Sequence, residues 1–308
     1  MREVWMQQLT GMDSPVRHVM RHVHSAIVNI AQEKNAEFAR AYDELTLEYL
    51  DDHQWICKVD GAKRHIRISR KVMEVFWAAS FMYIRFHDAI SEETEQGRAD
   101  PVVIDFEKSP RLREAARLFE WAINSWRTCS DDPWPQHLPM PLAEPVGDSD
   151  EDFAEDLSLR AVAFIVHHEL AHIRLGHRGP SEVELERDAD NTAAAWLLGD
   201  IDDEESDEFT RRALGVATAL AVLVARRIHG GGHDGPSHPR AYDRLMHTLI
   251  HHIENADHIV WYFVSHILKL HLDNASHGAV IPEGPFNSGR ECADAYVDAL
   301  SRLGHQSS

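Results

Sequence analysis

The chain has 308 residues, 44% hydrophobic and 27% charged, a composition ordinary for a globular protein able to bury one large core or two modest ones. Its 31 basic residues stand against 51 acidic ones, and the net charge of −20 argues against general nucleic-acid binding and against docking on an anionic membrane. Cys57, Cys129 and Cys292 are odd in number, far apart and without C-x-x-C spacing, so they read as free buried thiols in a reducing compartment.

Charges and histidines are scattered through residues 1–30, which does not read as a secretory signal, so the expected location is the cytoplasm. Residues 14–38 predict one amphipathic helix. Ser14 would cap it, Pro15 suits its first turn, and Val16, Val19, Met20, Val23, Ile27 and Ile30 form its stripe. Two β-rich runs, residues 54–59 and 65–69, flank Asp60-Gly61 and predict a hairpin. Residues 72–90, rich in Phe, Trp, Met and Tyr, read as a core helix; a charged loop at 91–100 precedes another helix at 112–127.

Residues 131–145 hold five of the 13 prolines and read as a connector, although Trp134 and Leu138 suggest that it packs against something. It divides a mixed N-terminal region, 1–145, from an all-helical region, 146–308; the two could also form one compact domain. The fold class expected is mainly α with a small N-terminal β-hairpin.

The helical region opens with the acidic stretch 148–156, which suits the positive end of a helix dipole. An apolar run, residues 159–166, then leads into His168-Glu169-Leu170-Ala171-His172. Four residues are about one helical turn, so His168 and His172 project from one face and can grip one zinc ion. Glu169 follows the first ligand and can act as general base toward water. With 22 histidines in the chain an accidental H-E-x-x-H is a real alternative, and a third ligand decides between them. His167 points about 100° away from His168 and reads as a flanking residue. His177 does not fit the spacing of a metzincin third ligand.

Glu186 and Asp190 lie four apart on the next predicted helix, after a turn containing Gly176, Gly179, Pro180 and Ser181 as cap. If the two helices fold back antiparallel, Glu186 completes a His-His-Glu site with an open fourth position. Spacing alone leaves the other reading open, an ordinary acidic face shared with Glu182, Glu184 and Asp188. Asp190 is positioned either to orient a ligand imidazole by hydrogen bond or to stay on the surface.

A second acidic stretch, 202–208, precedes a buried helix over 211–227. The apolar run at 213–225 spans about 20 Å as a helix, short of the ~30 Å bilayer core, so no transmembrane segment is expected. Ser237-His238-Pro239 starts another helix, with Tyr242, Leu245, Leu249 and Ile253 on its stripe. Either His238 or Arg244 could donate to a developing oxyanion in the catalytic reading. His247, His251, His252, His258, His266 and His271 lack a carboxylate at matching spacing and read as structural or exposed. The two acidic stretches are either solvated loops or steering elements for a basic substrate or activator.

Residues 165–176 (I-V-H-H-E-L-A-H-I-R-L-G), 186–199 (E-R-D-A-D-N-T-A-A-A-W-L-L-G), 211–219 (R-R-A-L-G-V-A-T-A) and 237–244 (S-H-P-R-A-Y-D-R) resemble the Lit family of phage-exclusion peptidases. The similarity runs in order from about residue 153 to 249, reaches weakly back to about 72, and is absent from the first and last 50 residues. The E-x-x-A-D and S-H-P elements are shared with gluzincin metallopeptidases, where that Glu is the third zinc ligand. The resemblance therefore implies a helical zincin-like core with Glu186 as third zinc ligand beside His168 and His172; together with the reading of the residues, this gives catalysis by Glu169 and His238 and support from Asp190 and Arg244. It further implies an intracellular antiviral role, translation elongation factor Tu as protein substrate and a phage-derived activator. A zinc-binding regulatory or interaction protein without proteolysis is the alternative; such a protein need not keep Glu169.

Overall fold

The computed structural model describes residues 9, 11–42, 46–60, 65–95, 104–106, 108–176, 183–230, 240–275 and 282–306. The first predicted helix is two. Helix α1 (Arg17–Asn29) buries Val19, Met20, Val23 and Ile27 on the expected stripe. The chain then leaves helical geometry at Ala31, makes a single 3-10 turn, Gln32–Lys34, and resumes as α2 (Asn35–Tyr42). Contacts from distant elements favour this break. Arg212 Nη1 sits 2.6 Å from Glu33 Oε1, and Lys34 Nζ donates to the Ala195 carbonyl at 2.9 Å. Ser14 does not cap the helix. Its hydroxyl donates to Glu74 Oε1 at 2.9 Å, and Glu74 in turn pairs with Lys71 at 2.7 Å in the core.

The predicted hairpin partners form, as β2 (Cys57–Asp60) antiparallel to β3 (His65–Ser69); Gly61 lies outside the described residues. A strand that the sequence pattern did not reveal, β1 (Thr46–Leu50), adds in parallel on the other side of β3. The sheet order β1-β3-β2 leaves β2 at an edge. Ser69 ends β3 and the chain passes directly into α3 (Arg70–Glu95), which swallows the first part of the expected charged loop. Helix α4 (Pro110–Thr128) starts on Ser109, whose hydroxyl accepts from Leu112 N. It ends on Cys129 in the left-handed region, so this thiol is exposed; of the three free cysteines only Cys57 is buried.

The connector packs, as Trp134 and Leu138 suggested. Both are buried, and the Trp134 ring meets Trp77 and Trp121 edge-on. Helix α5 (Asp150–Arg174) follows, capped by Ser149, which accepts from Asp152 N. Three acids in its first turn oppose the positive end of its dipole. Its middle, Ala161 to Val166, is almost wholly enclosed, because α1, α3, β2 and the two helices after it all pack on it. Those helices are α6 (Val183–Leu198) and α7 (Asp207–Gly230). At the crossing of α5 and α7, Gly215 admits Arg160 so closely that an added Cβ would lie 2.5 Å from Arg160 Cβ.

Helices α8 (Ala241–His252), α9 (Ile259–Ala275) and α10 (Gly289–Gln306) complete the structure. Tyr242, Leu245, Leu249 and Ile253 are buried as the stripe of α8 requires. Buried apolar side chains form one continuous cluster from Leu9 to Leu300. The protein is mainly α with a small β part, and among the described residues no helix is long and apolar enough to cross a membrane.

Candidate functional site

Helix α5 ends where the chemistry begins. Leu175 N bonds to the Ala171 carbonyl, and Gly176 follows at φ +69°, a conformation that costs glycine nothing and stops the helix one turn after His172. The chain returns as α6. His168 and His172 meet Glu186 while His167 stacks on Trp196, so the two helices run antiparallel. His167 is structural: its Nε2 lies 3.0 Å from the Ile27 carbonyl and it carries no ligand role.

Three side chains converge on one point. The two imidazole Nε2 atoms are 3.1 Å apart, and the Glu186 oxygens lie 3.6 Å from His168 Nε2 and 3.5 Å from His172 Nε2. Ligands about 2.0–2.1 Å from a shared tetrahedral ion stand about 3.3 Å from each other, so these spacings fit zinc without rearrangement. Among the described residues this is the one group of three or more His, Cys, Asp or Glu side chains so arranged. His168 and Glu186 are buried, whereas His172 is half-exposed, which leaves an approach for solvent and substrate.

Two further charges brace the cluster. Asp190 Oδ1 lies 2.8 Å from His168 Nδ1, directing Nε2 toward the shared point. Arg244, from α8, grips the same carboxylate with Nε and Nη2 at 2.7 Å each, and its Nη1 reaches Glu186 at 3.2 Å. All three guanidinium nitrogens therefore engage acids. Burial pushes the Asp190 carboxyl upward, but Arg244 and His168 outweigh it and hold it below the usual range. The hydrogen bond to Glu186 raises His172, burial works against it, and Glu169 and Asp190 add to the rise.

Glu169 is half-buried, and its charge is felt at His172, Arg244 and Cys57. Among the described residues its carboxylate makes no hydrogen bond or ion pair. His238 and the cap residue Ser181 lie outside the described residues. Cys57, whose thiol burial pushes up, puts the edge strand β2 beside this carboxylate, a neighbour that spacing along the chain does not disclose.

The acidic stretches are not beside the His168, His172 and Glu186 cluster. Asp156 precedes His168 by twelve residues of α5, and Leu198 follows Glu186 by twelve of α6, each about 18 Å of helix. Antiparallel packing thus collects both stretches at the opposite end of the helix pair. Most of their charges have local partners there: Asp150 and Glu151 with Arg111, Asp156 and Glu208 with Arg160, and Glu204 with the amides of Glu254 and Asn255. Steering toward the metal from about 18 Å falls beyond the ~10 Å screening length at 0.1 M salt, so the role as local caps and ion pairs is the one the structure carries.

Comparison with known proteins places residues 66–264, which include every residue of this cluster, in agreement with the profile of the peptidase U49 family. The chain is also 27% identical over 247 residues to the cell death peptidase of Escherichia coli (strain K12), covering 77% of this chain and 82% of that protein. No solved structure matches.

Proposed function

Because the chain belongs to the peptidase U49 family, we propose that it is a zinc-dependent endopeptidase whose ion is held by His168, His172 and Glu186. The observation that carries this reading is the convergence of two Nε2 atoms and a carboxylate at tetrahedral spacing, next to Glu169, whose carboxylate has no partner among the described residues. Zinc in that position supplies Lewis acidity toward water and a peptide carbonyl. Asp190 Oδ1, 2.8 Å from His168 Nδ1, would keep the proton on that nitrogen and leave Nε2 as the one that would hold the ion. Arg244 neutralises part of the charge of Asp190 and Glu186 and holds both in place. Glu169 accepts a proton from water and returns it to the leaving amine. Strand β2 is one of the two edge strands of its sheet and packs against α5, so an extended substrate laid along its edge would pass this carboxylate. His238 would add a donor to the developing oxyanion.

The likeness to the cell death peptidase, together with the Lit-family motifs, extends the proposal to antiphage defence: cleavage of elongation factor Tu in the cytoplasm, triggered by a phage component. The test incubates zinc-loaded protein with elongation factor Tu, with and without lysate of phage-infected cells, and reads fragments by mass spectrometry. The expected result is a discrete fragment pair in the infected-lysate arm that is missing when Glu169→Gln protein is used. Intact elongation factor Tu in every arm would remove that substrate, and cleavage surviving Glu169→Gln would remove the catalytic assignment.

A further inference from the structure

One face of α4 borders a cavity away from the site described above. Ala116, Phe119, Glu120, Ile123, Asn124 and Arg127 recur at three- and four-residue spacing, so a single stripe of the helix lines it. Met82 of α3, Leu270 of α9 and Phe106 add apolar wall, and His229, in the last turn of α7, adds a polar one. The cavity holds about 370 Å³, at the small end of the range for small-molecule sites. None of its lining residues belongs to the His168, His172 and Glu186 cluster.

His229 has a nitrogen left over. Its Nε2 is buried and makes no hydrogen bond among the described residues, while its ring meets Phe119 and His271 edge-on at 6.3 and 5.8 Å. A buried polar nitrogen in this position destabilises the fold until something supplies the bond. Burial, then the positive charge of Arg127, holds the imidazole below its ordinary pKa, so at neutral pH it is uncharged and can carry its one proton on Nε2. Arg127 donates through Nη2 to Asn124 Oδ1 at 3.1 Å, a neutral acceptor, and among the described residues no carboxylate neutralises it. Glu120 stands two turns back along α4, about 10 Å away, in water, and its charge is not felt at His229. Two donors, one of them cationic, thus border walls of aromatic ring and thioether. We propose that this cavity binds a small monocarboxylic acid with an aromatic body, its carboxylate accepting from Arg127 and His229 Nε2 and its ring lying among Met82, Phe106 and Phe119. The site is independent of the peptidase reading, because it shares no residue with it.

The test is calorimetric titration of the full-length protein at neutral pH with phenylpropionate and, separately, with its neutral amide, each up to about 10 mM. The acid is expected to bind saturably at one site per chain, at least about tenfold more tightly than the amide. Arg127→Gln, at an exposed position, should bring the acid down to the affinity of the amide and leave the amide unchanged. Ala116→Trp, which drives an indole from α4 into the cavity, should remove binding of both, with far-ultraviolet circular dichroism retained. Should Ala116→Trp not fold, His229→Phe takes its place and should weaken the acid about tenfold by removing Nε2 while keeping a ring of similar shape. Equal affinity for acid and amide, an acid affinity untouched by Arg127→Gln, binding that survives a folded Ala116→Trp or is unaltered in His229→Phe, or no saturable binding of the acid overturns the site.

Discussion

Arg244 offers the sharpest stability test, because a paired control exists in the same fold. Its three nitrogens contact Asp190 twice at 2.7 Å and Glu186 at 3.2 Å, and the side chain is 10% exposed against 1% and 7% for its partners. Replacing it by Ala leaves two enclosed carboxylates without their cation, and breaking a buried pair in this way costs about 3–5 kcal/mol. Arg212 makes comparable contacts, to Glu33 at 2.6 Å and Glu208 at 2.7 Å, but those carboxylates are 33% and 48% exposed. They regain water when the arginine is lost, so Arg212→Ala should cost only about 1 kcal/mol beyond lost packing. Urea unfolding of chelator-treated wild type and both variants, analysed with a common m-value, measures the difference. If Arg244→Ala destabilises no more than Arg212→Ala, the buried charge network is not a unit and the bracing role of Arg244 fails.

Glu169→Gln should retain fold and metal yet lose at least about a hundredfold in cleavage, since the amide cannot accept a proton; a rate within tenfold of wild type at equal zinc content would reassign the base. Gly215→Ala forces a Cβ to 2.5 Å from Arg160 Cβ and should cost about 1–3 kcal/mol, seen as a lower Tm; an unchanged Tm would mean that α5 and α7 separate freely. Acid should also destabilise the fold. Burial drives His271 to about 3 and, with help from His87 and Lys269, His266 to about 3. Both stay neutral in the fold, whereas the unfolded chain protonates near 6.5, so their contribution is complete above pH 6.5 and drains away as pH falls toward 3. Between pH 7 and 5 the two lose about 4 kcal/mol together, the slope approaching about 1.4 kcal/mol per unit each. Glu155, raised to about 7 by burial, has the opposite sign and offsets part of this loss. Equal urea midpoints at pH 7 and pH 5 would contradict the assignment.

Periodicity along the chain was sufficient for most of the helices and for the local pairs of the candidate site, because both depend on local spacing, whereas the meeting of Glu186 with the two histidines required the antiparallel pairing of α5 and α6. His168 with His172, and Glu186 with Asp190, are i, i+4 pairs that any helix presents together. What spacing could not show is where distant segments meet. The break at Ala31 is favoured by Glu33 and Lys34 reaching Arg212 of α7 and the Ala195 carbonyl of α6, and Ser14 abandons its cap position for Glu74, sixty residues away. Strand β1 exists through a parallel pairing with β3 that has no turn signature between them. Cys129 is exposed because it takes the left-handed position after a helix, a role its hydrophobic character does not announce. The acidic stretches are different. Their distance from the metal cluster follows from the rise of an α-helix and was countable from the chain, but only once the antiparallel pairing of α5 and α6 fixed which ends coincide.

The central claim is that His168, His172 and Glu186 hold one zinc ion. Metal content by mass spectrometry, after dialysis against a mild chelator, tests it on wild type, His168→Ala and Glu186→Ala protein. One zinc per wild-type chain and strong loss in both variants are expected, because two ligands cannot retain what three hold. Zinc retained undiminished by either variant, or bound by none of the three proteins, would contradict it.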